Sequence, residues 1–345
     1  MTDIPTSPLV SVVIPHYGGK IILNECLESL NKITYSNIEI IVIDNNSPDN
    51  SAEYIAEKYP KVKLIISDYN RGFAGGCNLG VKYAKGKYLL ILNNDTTHEY
   101  NFLEGLVQKL EANQNICSVQ PKIKNFNNNL YFDYAGASGG FMDKYCFPFA
   151  RGRIFTTVEE DRGQYDNSCQ VFWASGTAFL TRKINFNEIG GFDEILFAHM
   201  EEIDFHWKTQ MLGYEVWIEP TSVVNHRGAV TLPASSPEKT YLNFRNSMIL
   251  LLTNHSIMKI CNIIFLRVIF ECLALIKEMI TLQWSHGIAI IRSWIWIVIN
   301  LKLLKKRRKF YNRIKNNNVT LIYNKSIIIK YFMQNKKKFS QILYE

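Results

Sequence analysis

The sequence predicts an α/β protein built on a mostly parallel sheet flanked by helices. Three observations carry this. Short apolar, β-branched runs alternate with segments of helical spacing as far as Asn113. The runs are apolar on both faces, as strands covered by helices on two sides must be. Several end abruptly in Asn or Asp, as strands do that deliver polar side chains to the carboxyl edge of an open sheet.

In order, Leu9–Ile14 predicts the first strand. Ile22, Cys26, Leu27 and Leu30 lie on one face of a helix over Ile21–Lys32. Ile38–Ile43 is a second strand, Ala52–Lys58 a helix, Val62–Ile66 a third strand and Gly75–Ala84 a helix. Tyr88–Leu92 is a fourth strand, followed by a helix over Phe102–Asn113. From about residue 120 to 170, Asn, Gly, Tyr and Phe dominate without period, which suggests loops and a small antiparallel extension. Val171–Thr181 is strand-like, Glu201–Leu212 a short amphipathic helix, and Val216–Ile218 and Ser222–Val224 two short extended pieces.

Beyond Tyr241 the texture changes. Leu242–Thr253, Ile257–Ile280 and Ile288–Leu304 are strongly apolar and helical, yet Lys259, Arg267, Glu271, Lys277 and Arg292 interrupt them. A spanning helix needs roughly 20 predominantly apolar residues. Apolar helices with Trp294 and Trp296, closed by Lys305–Lys309 (KKRRK), suit a membrane interface; packing on the sheet as ordinary core is the alternative. The expected division is a catalytic domain over 1–250 and a region of apolar helices and basic tail over 251–345.

The bulk properties narrow the classes. A chain of 345 residues with 47% apolar content supports a proper core. Its seven cysteines are scattered with no CxxC and no Cys/His zinc spacing, which predicts buried, reduced thiols in a cytosolic protein. The amino terminus lacks a basic region followed by an apolar core, so a secretory signal is not expected. The net charge of +8 is uneven. Residues 301–345 hold 13 Lys/Arg and one acidic residue, whereas the rest holds 26 basic and 30 acidic residues. Such a tail meets anionic lipid or nucleic acid, or is simply solvated.

The chemistry concentrates at strand ends. Leu89–Thr96 (LLILNNDT) ends in Asn93, Asn94 and Asp95; Asp95 is a hard oxygen ligand able to hold a divalent cation against a diphosphate. Asn and Asp also serve turns, and each such segment alone is a weak signal. Here it is joined by Pro15-His16-Tyr17 after the first strand and Asp44-Asn45-Asn46-Ser47 after the second. Asn70–Gly80 (NRGFAGGCNLG) leads into a helix, and its glycines let backbone approach a ligand or simply permit tight packing. Glu201-Glu202-Ile203-Asp204 crowds three carboxylates at a helix start. Repulsion raises at least one pKa there, which suits a general base, although acidic residues also favour helix N-termini.

Taken in order, VSVVIPHYGG, IEIIVIDNNSPDNS, NRGFAGGCNLG, LLILNNDT, WASGTAFLTR, GGFDEILFAHMEEIDFHWK, VVNHRG and FRNS, spread over residues 9–246, resemble a family 2 glycosyltransferase of GT-A fold, rhamnosyltransferase-like group. The resemblance implies a Rossmann-like GT-A sheet and a role for each position. Asp44 would contact the nucleotide base, with Pro15, Tyr17 and Asn46 on the same side. Asn70, Gly75 and Asn78 would line the nucleotide and sugar. Asp95 would be the metal-binding aspartate of the family's D-x-D element, in which Asn93 replaces the first carboxylate. His226 would stand near the metal, Mg2+ or Mn2+. Glu202 would be the base, one methylene longer than the usual aspartate, with Glu201 and Asp204 as fallback. Ser175, Gly176 and Asp193 would shape the acceptor side, and Arg245 would meet a phosphate or a body carboxylate.

The implied activity is inverting transfer from a dTDP-rhamnose-like or UDP-sugar donor to a hydroxyl of a glycan or lipid-linked acceptor. It would serve cell-surface polysaccharide synthesis at the inner face of the cytoplasmic membrane, with no nucleic-acid partner. Two other classes compete. A sugar nucleotidyltransferase would need a glycine-rich basic phosphate loop after the first strand, and Pro15-His16-Tyr17-Gly18-Gly19 lacks that form. A non-catalytic membrane- or nucleic-acid-binding protein would leave Asp44, Asp95 and Glu202 without a purpose.

Overall fold

Strand ends in register are what position this site. The computed structural model describes residues 7–228, 236–314 and 319–343. Residues 1–6 of the amino-terminal segment, and Lys315 and Glu345 of the basic tail, lie outside that description. Strands β1 (Val10–His16), β2 (Ile38–Asp44), β3 (Lys63–Ile66) and β4 (Tyr88–Leu92) alternate with helices α1 (Lys20–Leu30), α2 (Ser51–Lys58) and α3 (Gly72–Val81). All four strands run parallel, and His16 pairs with Asp44 and Asp44 with Ile66, so their carboxyl ends form one edge. α3 lies close on β1 and β2 because Gly80 has no side chain: a Cβ there would stand 2.4 Å from Ile43 Cδ1 and 2.7 Å from Val13 Cγ1.

The sheet continues through β5 (Thr96–His98), β6 (Ile116–Asn125) and later strands, with α4 (Phe102–Ala112) covering it. A second small sheet follows: β7 (Gly140–Asp143), β8 (Pro148–Ala150), β9 (Arg153–Ile154) and β10 (Thr157–Val158), antiparallel as expected for this stretch. β11 (Cys169–Gln170), β12 (Ala178–Arg182), α5 (Lys183–Ile189), α6 (Glu201–Met211) and β13 (Glu215–His226) complete the main layer. Among the described residues the main sheet has nine strands in the order β11-β13-β6-β12-β4-β1-β2-β3, with β5 on β13. β12 is antiparallel to both β4 and β6, so the sheet is mixed there and parallel over β1–β4.

Four sequence expectations shift. β6 was hidden in the aperiodic stretch because Pro121, Lys122 and Gln120 break its apolar pattern; Gln120 and Lys122 are nevertheless buried, Lys122 between Asp161 and Asp166. Val171–Thr181 is strand only from Ala178: Trp173 makes an isolated bridge to Gly140, and the chain turns at Gly176-Thr177. Val216–Ile218 and Ser222–Val224 belong to one strand, β13, whose pairing with β6 shifts register between Glu219 and Val223, where Pro220 has no N–H to give. The last apolar segment breaks into α9 (Trp284–Ile299) and α10 (Leu301–Ile314), bent by 67° at Asn300, after α7 (Pro237–Asn254) and α8 (Ile257–Ile280).

The expected boundary at 250 falls inside α7. The tail beyond α10 folds back: β14 (Ile322–Tyr323) pairs parallel with β7, and Phe339 packs on Phe141, Phe149 and Tyr165. Asp143 is fully buried and accepts backbone N–H groups from Tyr145, Phe147 and Ile327; burial pushes its carboxyl up to about 7. Four cysteines are buried as expected, whereas Cys169 and Cys272 are half-buried and Cys261 is exposed on α8. Among the described residues no single helix is long and apolar enough to cross a membrane.

Candidate functional site

A cavity of about 450 Å3 opens at the carboxyl edge of β1 and β4. Pro15, Tyr17, Asn70, Asn93, Asp95, Ser175, Gly176, Glu201, Glu202 and His226 line it, so the structure brings together most residues expected from sequence. His16, Asn45, Asn94, Asp133, Tyr134, His199 and Lys239 also face it and had been given no role.

One wall gathers the candidate metal ligands. Asp95 follows β4, and His226 ends β13. Their Oδ1 and Nε2 atoms lie 3.2 Å apart, within ion-pair range but not aligned as a hydrogen bond, so the buried Asp95 Oδ1 keeps a lone pair open to a further ligand. His226 Nδ1 donates to Asp133 Oδ1 at 2.8 Å. That carboxylate fixes the ring and leaves Nε2 facing the cavity, the orientation a metal-ligating imidazole needs. Burial works against charge on His226, but Asp95 and Asp133 outweigh it and push the imidazole up to about 10. Burial likewise opposes ionisation of Asp95, and the neighbouring His226 holds its carboxyl below the ordinary value. Among the described residues no three His, Cys, Asp or Glu side chains are grouped to hold an ion by themselves. Two protein donors fit a divalent ion that takes its remaining ligands from water and substrate phosphate. Asn93 Nδ2 approaches His226 Nε2 at 3.4 Å and brings no charge.

The opposite wall is the start of α6. Phe197, His199 and Met200 all have positive φ (62°, 65° and 71°), a strained run that delivers Glu201 and Glu202 to the cavity. It rests on α3: Ala74 N–H donates to Phe197 O at 3.0 Å. A Cβ on Gly72 (φ 68°) would stand 2.4 Å from the same oxygen, so this position has room for glycine only. Glu202 Oε2 and Glu201 Oε2 are both buried without partners. Burial raises the Glu202 carboxyl, partly offset by backbone N–H groups at the helix start, to about 7. The Glu201 carboxyl is also pushed up, by burial and then by the adjacent Glu202 and Asp204. Burial lowers His16, and lowers His199 to about 4.

Seven expected residues do not line the cavity. Asp204 is fully buried, paired with Lys208 (3.0 Å) and with Arg307 of α10 (2.6 Å), so it is a structural anion and not a base. Asp193 caps the turn before Leu196 and pairs with Arg307 at 2.7 Å, which takes it from the acceptor side. Asn78 bonds both backbone groups of Phe192 and the Glu194 carboxylate, so it fastens α3 to that loop. Gly75 lies within α3 against Arg71 and Glu194. Asp44 accepts from Ser47 N–H at 2.8 Å and closes the turn after β2, and Asn46 supplies that turn's positive φ. Arg245 pairs with no carboxylate among the described residues: it donates to the carbonyls of Ile195 and Leu196 and to Asn246 Oδ1. Ser175 does face the cavity, with its hydroxyl donated to Ala135 O.

Asp133 escaped sequence reasoning because it lies 93 residues from His226 in an aperiodic stretch. His199 had a signal: it stands within the FAHMEEID run already singled out.

Comparison with known proteins identifies the family and the fold. A family model described as glycosyl transferase family 2 matches residues 11–184. Glycosyltransferase GlyG of Streptococcus pneumoniae is 34% identical over 203 residues, 57% of this chain and 62% of that protein, so the chain matches under two thirds of that relative's length. The N-acetylglucosaminyl-diphospho-decaprenol L-rhamnosyltransferase of Mycobacterium tuberculosis is 24% identical over 67% of this chain and 78% of its own. The crystal structure of GalNAc-T7 with UDP, GalNAc and Mn2+ superposes with a TM-score of 0.58 at 19% identity, over 72% of this chain and 48% of that one, which shows the shared GT-A fold.

Proposed function

The chain belongs to glycosyl transferase family 2, and from that premise we propose that it moves a sugar from a dTDP- or UDP-activated donor to a hydroxyl of a glycan or lipid-linked acceptor, with inversion, in cell-surface polysaccharide synthesis at the inner face of the cytoplasmic membrane. The observation that carries this reading is one cavity with the Asp95–His226 pair on one wall and the partnerless carboxylate oxygen of Glu202 on the other.

In this reading Asp95 Oδ1 and His226 Nε2 hold Mg2+ or Mn2+, which when bound supplies positive charge to the departing diphosphate. Asp133 orients His226. Pro15, Tyr17 and Asn70 border the nucleotide side. Glu202 takes the proton of the acceptor hydroxyl as that oxygen bonds to the anomeric carbon and the carbon–diphosphate bond breaks. A base with a pKa near 7 is both free to accept and basic enough to pull. Burial, and then the adjacent Glu202 and Asp204, push the neighbouring Glu201 carboxyl up as well, which disfavours two charges on the pair. The acceptor class rests on the lipid diphosphate named for the mycobacterial relative. Residues 1–250 are proposed as the catalytic unit in the sense that they supply every residue of this scheme.

The test is nucleotide release from a panel of UDP-, dTDP- and GDP-sugars with and without Mn2+, the product's anomeric configuration being read by NMR. Metal-dependent turnover of one donor class, lost in Glu202→Gln, is expected. No nucleotide release from any donor by folded protein, or a retained anomeric configuration, refutes the scheme.

A further inference from the structure

The helical hairpin α8–α9 carries an unusual surface. On α8, Met258, Phe265, Ile269, Leu273, Ile276 and Ile280 are exposed and recur at helical spacing along one face. On α9, Trp284, Ile288, Ile291, Ile295, Val298 and Ile299 do the same. Phe265 is 76% and Ile280 75% exposed. Singly exposed apolar residues are ordinary, but two adjoining stripes are not. The other faces of these helices are anchored: Arg267 and Glu271 form a buried pair on α8, and Arg267 also donates to Tyr145 O. The hairpin is therefore fixed to the body by one side and bare on the other.

Charge says what covers it. Immediately after α9 the chain bends by 67° into α10, where Lys302, Lys305, Lys306 and Lys309 are exposed at i, i+3, i+4 and i+7. A bare apolar face beside a lysine stripe matches the acyl boundary and headgroups of an anionic leaflet. A second protein copy would have to desolvate those lysines.

We propose that α8, α9 and α10 form a monotopic docking face for an anionic lipid bilayer, and that the docked surface lies beside the mouth of the catalytic cavity. The second part rests on α7. Lys239, in its first turn, lines the cavity, and the next residue, Thr240, meets His286 at the start of α9 through Oγ1···Nδ1 at 2.7 Å. Arg292 of α9 pairs with Glu238 at 3.5 Å. The hairpin turn, with Ile280, Leu282 and Trp284 exposed, thus stands next to the cavity wall. A lipid-borne acceptor held in the leaflet would reach Glu202 without leaving the surface. This deepens the proposed function, but docking is measured without donor or acceptor, so either reading fails alone.

The experiment is co-sedimentation of the full chain with phosphatidylcholine vesicles, with and without phosphatidylglycerol. Binding is expected only, or at least tenfold more strongly, with the anionic lipid. Phe265→Glu with Ile276→Glu should abolish it. Lys302, Lys305, Lys306 and Lys309 changed together to Gln should weaken it about tenfold or more, each basic residue near the surface adding to the attraction. All six sites are exposed, so unchanged melting and nucleotide binding are expected in both variants. No vesicle binding by the wild-type chain overturns the proposal. So does a soluble dimer that the Glu pair dissociates, which would make this face an interface between copies.

Discussion

Arg307 offers the sharpest test of how the site is held. Its guanidinium sits on α10, side chain 3% exposed, yet it pairs with Asp193 (2.7 Å) and Asp204 (2.6 Å) and donates to Thr253 and Asn254 at the end of α7. Arg307→Met keeps the volume and removes the charge, leaving a fully buried Asp204 short of one cation. Removing one partner of a buried pair costs about 3–5 kcal/mol. Lys208 stays 3.0 Å from Asp204, and Asp193 is partly solvated, so the lower end, about 3 kcal/mol, applies here. For a chain of this size that lowers Tm by about 4 °C. The assay is denaturant unfolding of Arg307→Met, Asp204→Asn and the double variant. Because the damage lies in the orphaned charge, the double variant should recover about half the loss of Arg307→Met. A loss under about 1 kcal/mol, or strictly additive single effects, would falsify the view that α10 braces the catalytic helix through this ion pair.

Other consequences are equally direct. Glu202→Gln should lower kcat about 10²- to 10⁴-fold with little change in donor KM, measured by nucleotide release. A carboxyl raised above its unfolded value binds its proton more tightly when folded, so it detracts from stability as pH rises from about 4 through about 7; at pH 8 the Gln variant should melt higher than wild type, by about 1–3 kcal/mol in stability, and the two should converge near pH 4. His226 bridges two carboxylates as imidazolium, so Mn2+ binding should release a proton and tighten between pH 6 and pH 8; calorimetry in buffers of differing ionisation enthalpy reads that proton, and its absence refutes His226 as a ligand. Asp133→Asn should weaken Mn2+ affinity about 10- to 100-fold while leaving Tm within a few degrees. Gly72→Ala should destabilise by about 1–2 kcal/mol through its positive φ alone, and further through contact with Phe197 O.

What the sequence made legible was local. β1–β4 are continuous apolar runs, and each strand's last residues announce its polar end, so Pro15, Tyr17, Asn93 and Asp95 were placed before any coordinates. Pairings made across the chain were not legible. No periodicity says that β12 runs antiparallel between β4 and β6. Asn78, Asp193 and Asp204 stand in motifs, but their partners Phe192 and Arg307, which no motif announces, make them braces between elements around the cavity. The basic tail read as one charged block, whereas Arg307 points inward, the α10 lysines outward, and residues 319–343 pack on the small sheet.

The contact between Gly72 and the Phe197 turn couples two events that are chemically separate. In the proposed scheme the NRGFAGG segment lies on the donor side and the FAHMEE turn on the acceptor side, and the two share a hydrogen bond and a gap too narrow for a methyl group. A shift of either strains the bond between Ala74 N–H and Phe197 O. In that scheme, whatever settles in the donor half would bear on the height and tilt of Glu202 before any acceptor arrives. The kinetic signature is a compulsory order of binding, donor first, with the acceptor meeting a base already set in place.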